Sequence, residues 1–168
     1  MRLIRLWSLS LLLGLSMFGN LCGQTNFPSI DVLRLDGSSV ALGDLVGQGK
    51  PTVVALWATW CQPCLAELDH MKAYFEKWTG EYEADFLAVS VDQRYQMRRI
   101  QPLLNRRFWP YTVVVDVNRQ LQSLLDFDSI PQLFVLDGQG RIVATYSGFE
   151  NNRPQQVDRE LAQLRARR

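Results

Sequence analysis

The sequence has few of the residues on which several protein classes depend. Its 168 residues include three cysteines and one histidine. Three cysteines are too few for a disulfide-rich scaffold, and they exclude a zinc site built from four cysteines. A glycine-rich phosphate loop and the nucleophile elbow of many hydrolases are also missing. The spacing of the three cysteines is therefore the more informative feature of the sequence.

The charges are nearly balanced, with 18 Lys and Arg against 17 Asp and Glu. A net charge of +1 gives no bulk reason to bind nucleic acid or an anionic membrane. A composition with 47% hydrophobic and 21% charged residues excludes intrinsic disorder, collagen and coiled coil. A chain of this length predicts one domain with its own core, and we expect a monomer that binds no nucleic acid.

The N-terminal segment is basic and then apolar. No acidic residue precedes Asp31, whereas Arg2 and Arg5 stand at the start. The 13 residues from 6 to 18 suit the hydrophobic region of a signal peptide. They fall short of the roughly 20 residues that span a bilayer. We therefore predict that residues 1–23 are a signal peptide and residues 24–168 the mature domain.

Two other interpretations of this N-terminus stay open. Cys22 has the place of a lipid-modified cysteine, although Leu21 before it is bulkier than that signal prefers. The stretch from residue 3 to residue 22 also just reaches the length of an uncut membrane anchor. All three interpretations place the domain outside the cytosol, in the bacterial periplasm or envelope, either soluble or attached to the membrane.

Hydrophobic patterning predicts an alternation of strands and helices. Strands are predicted at residues 31–35, 52–57, 86–91, 111–115, 132–136 and 141–146, and helices at 63–78, 93–107, 121–125 and 153–168. Residues 40–45 are predicted to form a loop or a single helical turn, and Pro102 is predicted to kink its helix. This order predicts an α/β fold with a central mixed sheet and helices on both faces.

A Cys-x-x-Cys motif, Cys61-Gln62-Pro63-Cys64, joins a buried strand to a helix. Two cysteines at this spacing are close enough to form a disulfide and to part again on reduction. Cys61 lies at the helix start, where free N–H groups and the helix dipole favour a thiolate. Cys64 lies one turn deeper, so we expect Cys61 to attack a partner disulfide and Cys64 to resolve the mixed disulfide.

The motif has two other interpretations. Half of a zinc site would need two more ligands, and His70 is the only histidine. A purely structural disulfide is disfavoured because so small a ring constrains little chain. We therefore predict neither a metal nor a cofactor.

The order of strand, Trp-Cys-x-Pro-Cys and helix resembles the thioredoxin superfamily. The fuller pattern resembles its exported TlpA/ResA-like thiol–disulfide oxidoreductases. Glu67 matches an active-site glutamate of that group, residues 85–116 match its inserted βα unit, and Ile130-Pro131 matches its cis-proline segment. The similarity covers residues 27–148. It implies a thioredoxin-like three-layer sandwich with a central mixed sheet, helices on both faces and an inserted βα unit.

The resemblance also implies roles for individual residues. The catalytic set is Cys61, Cys64, Glu67 and Pro131, and the substrate-binding set is Trp60, Gln62, Pro63 and Ile130. A cis Pro131 would lie against the disulfide and leave a backbone edge free for substrate. Gln62 and Pro63 would tune the reduction potential.

Two of these roles have plainer alternatives. Glu67 would accept a proton from Cys64 or tune its pKa, the alternative being a solvated glutamate favoured by the helix dipole. Trp60 would cover the disulfide, the alternative being ordinary packing. Thioredoxin has a buried acid where this chain has Ala55, so the internal base is Glu67 or water.

The expected function is an exported thiol–disulfide oxidoreductase that reduces disulfides of specific envelope proteins. Apocytochrome cysteines awaiting haem are one candidate substrate, which would place the chain in cytochrome c maturation. An upstream donor, such as a membrane thiol carrier, would reduce it again. One alternative is a peroxiredoxin-like thiol peroxidase, although Ala58 stands where that chemistry has a threonine. Another is a non-catalytic binding module of the same fold.

Five arginines lie along one predicted helix: Arg94, Arg98, Arg99, Arg106 and Arg107. A solvated helix face explains them, and docking of an acidic partner is the alternative. His70 is predicted to be an exposed surface histidine, because Leu68 and Met71 take the core positions of its helix.

Overall fold

The computed structural model describes residues 25–167. The predicted signal peptide and the alternatives involving Cys22 lie outside the described residues. The strands are β1 Asp31–Arg34, β2 Ser39–Ala41, β3 Thr52–Trp57, β4 Asp85–Ser90, β5 Thr112–Val115, β6 Gln132–Leu136 and β7 Ile142–Ser147. The helices are α1 Gln62–Lys72, α2 Phe75–Gly80, α3 Ile100–Arg107, α4 Gln120–Leu124 and α5 Arg153–Ala166, with 3₁₀ turns at Leu42–Asp44 and Arg94–Arg99.

The strands form one mixed sheet of seven, in the order β2-β1-β5-β4-β3-β6-β7. β3 pairs in parallel with β4, and β4 with β5, whereas the other pairs are antiparallel. The predicted mixed sheet is confirmed. Residues 85–116 supply β4, α3 and β5, the strand–helix–strand order expected for the inserted unit.

β3 is buried on both faces because its six residues are apolar or β-branched. Val53, Ala55 and Trp57 belong to the core shared with α1, α2, α3 and α5. Val54 and Leu56 belong to the core on the other side of the sheet, which α4 and the first 3₁₀ turn complete. The strand ends at Trp57, so it delivers the Cys-x-x-Cys motif to the carboxyl end of the parallel pair.

The prediction of one helix over residues 63–78 is wrong, because the chain breaks between α1 and α2. The Tyr74 N–H donates to the Met71 carbonyl, a tighter bond than an α-helix makes, and α2 then begins at Phe75. The break lets Trp78 stack on Phe86 of β4 and donate its indole N–H to Asp158 of α5. The segment therefore forms two short helices, and the contacts of Trp78 hold the second one in place.

One smaller prediction fails and a second is only partly right. Pro102 does not kink a helix over 93–107, because residues Arg94–Arg99 are a 3₁₀ turn and α3 begins at Ile100. Pro102 therefore lies in the first turn of α3, where a missing N–H costs no intrahelical bond. The single helical turn predicted within residues 40–45 is present as the 3₁₀ turn Leu42–Asp44, but Val40 and Ala41 before it belong to β2, a short strand that pairs with β1. Among residues 25–167, no helix is both long enough and apolar enough to cross a membrane.

Candidate active site

The cysteine pair lies where β3 ends and α1 begins. Cys61 and Cys64 form a disulfide, with 5.3 Å between their Cα atoms. Cys61 is the cap residue of α1, and the backbone N–H of Cys64 donates to its Sγ at 3.3 Å. That N–H is in place to stabilise a thiolate at Cys61 after reduction. Cys64 is 1% exposed and Cys61 6%, so Cys64 is the deeper of the two, as the spacing predicts.

The segment before β6 lies directly against the disulfide. The Ile130–Pro131 peptide bond is cis, as the resemblance implies. The carbonyl oxygen of Ile130 is 3.9 Å from Sγ of Cys61. The Pro131 carbonyl accepts a hydrogen bond from the Gly148 N–H at 2.9 Å, which ties this segment to the end of β7.

Glu67 is buried and lies on α1, one turn after Cys64. It is 3% exposed, so the alternative of a solvated glutamate is wrong. Its Oε1 lies 3.5 Å from Nε of Arg153, and neither atom has a hydrogen-bond partner within residues 25–167. Burial raises the pKa of Glu67 to about 7, although the Arg153 charge opposes part of that rise. A carboxylate with this pKa can both accept and release a proton near neutral pH.

Arg153 is a site residue that the sequence reasoning missed. It is 2% exposed at the first turn of α5, and its guanidinium donates to the carbonyls of Ser147 and Gly148. The same group lies over the ring of Tyr146, 4.6 Å from the centroid. Arg153 thus links the buried acid to the strand end that holds the Pro131 segment. The one sequence signal was a cation in the first turn of a helix, where the dipole disfavours it.

Asp92 is a second residue that was missed. It lies two residues after the end of β4, is fully buried, and accepts hydrogen bonds from the backbone N–H and the hydroxyl of Thr59, both at 2.8 Å. Ser90 also donates to it, at 2.7 Å. Asp92 therefore fixes the loop between Trp57 and Cys61. A polar residue at the carboxyl end of a buried strand, beside the motif, was the available signal.

The predicted substrate-binding residues lie on the surface around this pair. Gln62 and Pro63 are exposed, and Ile130 is half-buried. Trp60 is 49% exposed, which excludes ordinary core packing for its ring. The guanidinium carbon of Arg119 lies 5.9 Å from the centroid of that ring, within cation–π range.

The other candidates from the sequence are His70 and the five arginines of the predicted helix. His70 is exposed and packs against Phe149, as predicted for a surface histidine. Arg107 pairs with Asp69 of α1, a contact that the sequence did not reveal. The other four arginines of the helix segment are exposed, and their side chains have no hydrogen bond or ion pair within residues 25–167. In the same range, no group of three or more His, Cys, Asp or Glu side chains is placed to hold a metal.

Comparisons with known proteins point to one group. The profile of the AhpC/TSA family matches residues 24–145. A thiol-disulfide oxidoreductase ResA of Bacillus thuringiensis is 25% identical over 121 residues, which are 72% of this chain and 67% of that protein. The chain thus spans about two thirds of that relative.

Solved structures share the fold. A thioredoxin-like protein from Porphyromonas gingivalis superposes with a TM-score of 0.73 at 27% identity, over 83% of this chain and 92% of that one. A putative thiol:disulfide interchange protein DsbE from Chlorobium tepidum gives 0.72 at 20% identity, over 84% and 96%. The second likeness is one of fold alone.

Proposed function

Since this chain belongs to the AhpC/TSA family and is a thiol–disulfide oxidoreductase of the thioredoxin fold, we propose a more specific function for it. We propose that the protein is exported and that it reduces disulfides of specific envelope proteins. The observation that carries the proposal is the Cys61–Cys64 disulfide at a helix start, with the Pro131 segment on one side and a buried acid on the other. Apocytochrome cysteines awaiting haem are one substrate of the right chemistry.

The reaction is a two-step exchange. In the reduced enzyme, the Cys61 thiolate attacks one sulfur of the substrate disulfide, forms a mixed disulfide and expels the other substrate sulfur as a thiolate. The Cys64 thiolate then attacks Sγ of Cys61. The Cys61–Cys64 bond forms, and the second substrate thiolate leaves. The substrate gains two electrons and the enzyme loses two, so an upstream thiol donor must reduce the enzyme before the next turnover.

Glu67 gives the second step its proton acceptor. Cys64 is buried, and burial in apolar surroundings disfavours its thiolate. Residues three apart on a helix are neighbours on one face, which places the Glu67 carboxylate near Cys64. The carboxylate accepts the Cys64 proton as the sulfur attacks, and the departing substrate thiolate takes up a proton afterwards. Ala55 supplies no competing acid at the strand position used by thioredoxin.

A Cys64→Ser variant tests the proposal, because it can form the mixed disulfide but cannot resolve it. Incubated with oxidised periplasmic extract, it should accumulate disulfide-linked partners that disappear on reduction. The matched Cys61→Ser variant should trap far fewer. A reduction potential of about −270 mV for the Cys61–Cys64 pair would fit a reductant, whereas one of about −120 mV would make the enzyme an oxidant. Failure to trap any partner or reduce any test disulfide would refute the function.

The family match makes the peroxidase alternative worth a direct assay. A thiol peroxidase of this kind needs a threonine that activates the reactive cysteine, and the threonine near Cys61 is Thr59. Its hydroxyl instead donates to Asp92 at 2.8 Å. The oxidoreductase therefore fits the site better, and rapid peroxide turnover by the purified protein would reverse that ranking. A non-catalytic binding module would show itself by an unreactive Cys61 after reduction.

A further inference from the structure

The segment between Asp92 and Asp116 is strongly basic. It contains five arginines and no acidic residue. Arg107 is paired with Asp69, but the other four are exposed and have no ion pair with any residue of the described range, 25–167. Exposed arginines along a helix are commonly just solvated. Whether these arginines form a binding surface therefore depends on where they lie relative to the cysteine pair.

Three of these arginines line a groove that reaches Thr59, in the loop just before the Cys-x-x-Cys motif. The groove has a volume of about 560 Å³, and its lining residues are Thr59, Arg98, Arg99, Pro102, Leu103 and Arg106. We call this feature the basic groove. Thr59 is two residues before Cys61 and is held in place by its bonds to Asp92, so one wall of the groove has a fixed position close to the motif in the chain.

Two acidic residues lie near the basic groove, Asp92 and Asp36. Asp92 is buried and its oxygens are taken by Thr59 and Ser90. Asp36 lies with Arg98 in a neighbouring groove, and its carboxylate accepts hydrogen bonds from the N–H and hydroxyl of Ser38. Neither carboxylate forms an ion pair with Arg98, Arg99 or Arg106 within residues 25–167, so these exposed guanidiniums are available to an acidic partner.

Aromatic side chains accompany the charge. Trp60 is 49% exposed and faces Arg119, while Tyr95, in the same 3₁₀ turn as Arg98, is 63% exposed. Exposed Trp, Tyr and Arg are the residues that most often anchor protein interfaces. The apolar floor of the basic groove, Pro102 and Leu103, would let a polypeptide pack as well as pair its charges.

We propose that the basic groove docks an acidic polypeptide segment of the substrate protein, next to the disulfide that Cys61 attacks. The proposal rests on the proposed function and names the class of substrate that it prefers: proteins whose reducible disulfide is flanked by Asp and Glu. Rim charges of this kind act mainly by speeding the encounter and selecting the partner. The groove shape and the adjoining aromatic rings favour a polypeptide over a flat anionic membrane.

Synthetic peptides test this preference. Each contains one intramolecular disulfide flanked by four Asp and Glu residues, by four Gln and Asn residues, or by four Lys residues. The full chain is purified and reduced, and its kcat/KM is measured for each peptide and for uncharged hydroxyethyl disulfide. We expect the acidic peptide to exceed the neutral one by about tenfold at low salt, with the basic peptide slowest. The advantage should shrink as salt rises.

Two double variants separate the basic groove from net charge. Arg98→Gln with Arg99→Gln should remove most of the acidic advantage and leave hydroxyethyl disulfide reduction unchanged. Lys50→Gln with Arg167→Gln removes the same charge at the opposite end of the sheet, near Pro51, and should behave as the wild type. Both exposed pairs are outside the catalytic set.

The outcomes are distinguishable. Loss of the advantage in the first double variant alone supports docking. Equal rates for acidic and neutral peptides, or equal effects of the two double variants, overturn it. Arginine-dependent binding to vesicles containing phosphatidylglycerol, without any peptide preference, would assign the groove to a membrane and also overturn it. If even hydroxyethyl disulfide is not reduced, the proposed function itself fails.

Discussion

The carboxylate of Glu67 is buried, and the nearby cation that favours its ionised form is Arg153. Burial favours the protonated form and Arg153 favours the ionised form, which leaves the pKa at about 7. Glu150 lies 3.7 Å from Arg153 and weakens that help by adding a second negative charge. Arg153 is accordingly a positioning residue: it touches neither sulfur, but it sets how readily Glu67 can take a proton.

The first prediction concerns the pH dependence of the resolving step. Glu67 can accept the Cys64 proton only when it is ionised, so resolution should slow as the pH falls through about 7. Glu67→Gln should lose that inflection and be about 100-fold slower at pH 8, the scale of general-base catalysis. Stopped-flow tryptophan fluorescence, following oxidation of the reduced enzyme by excess small disulfide between pH 5 and 9, measures the rate.

Glu76→Gln is the matched control for that variant. Glu76 is exposed on α2, so the same chemical change there should leave the pH profile untouched. If Glu67→Gln retained the wild-type profile, the proton acceptor would be water and Glu67 would be a structural partner of Arg153.

At the level of elements, α1 is held against the end of α3 by one carboxylate. Asp69 pairs with Arg107 and also accepts the indole N–H of Trp109 at 2.8 Å. Trp109 is 7% exposed and packs edge-on against Trp57 at the end of β3. The contact therefore joins the helix carrying the cysteines to the segment carrying the basic groove.

The second prediction follows from that contact. Asp69→Ala leaves the buried Trp109 N–H without an acceptor and should lower the free energy of unfolding by about 1–3 kcal/mol. Asp69→Asn keeps an oxygen for Trp109 and loses only a half-exposed ion pair, for which about 0–1 kcal/mol is expected. Urea unfolding of the two oxidised variants measures the difference. Equal losses would show that the ion pair, not the indole bond, stabilises this junction.

The same elements show what the sequence could reveal. β3 and β6 were predicted to the residue because their apolar runs are bounded by clear breaks. The break after Lys72 was hidden, because Phe75 and Trp78 continue the helical spacing while bonding to partners that are distant in sequence. The 3₁₀ turn before α3 was hidden for a similar reason, since arginines fit either helix type.

At the scale of the whole molecule, the sheet gathers site residues that lie far apart in the chain. The parallel pairing of β3 and β4 brings Thr59 to Asp92, and the antiparallel pairing of β3 and β6 brings Cys61 to Ile130. The Cys-x-x-Cys motif was readable because its chemistry is local. Arg153 was not, because its meaning depends on α5 packing against α1, about 90 positions from the cysteines.

The last prediction concerns where the molecule works. The full chain, expressed in a bacterium with a periplasm, should be recovered there with an intact mass that lacks residues 1–23 and begins at Gln24. Exchange of Arg2 and Arg5 for glutamate removes the basic start of the signal and should keep the chain in the cytosol. A membrane-bound chain of full mass would identify an uncut anchor, and a lipid-sized mass on Cys22 a lipoprotein. Full-length wild-type chain in the cytosol would contradict export, and with it the proposal that envelope proteins are the substrates.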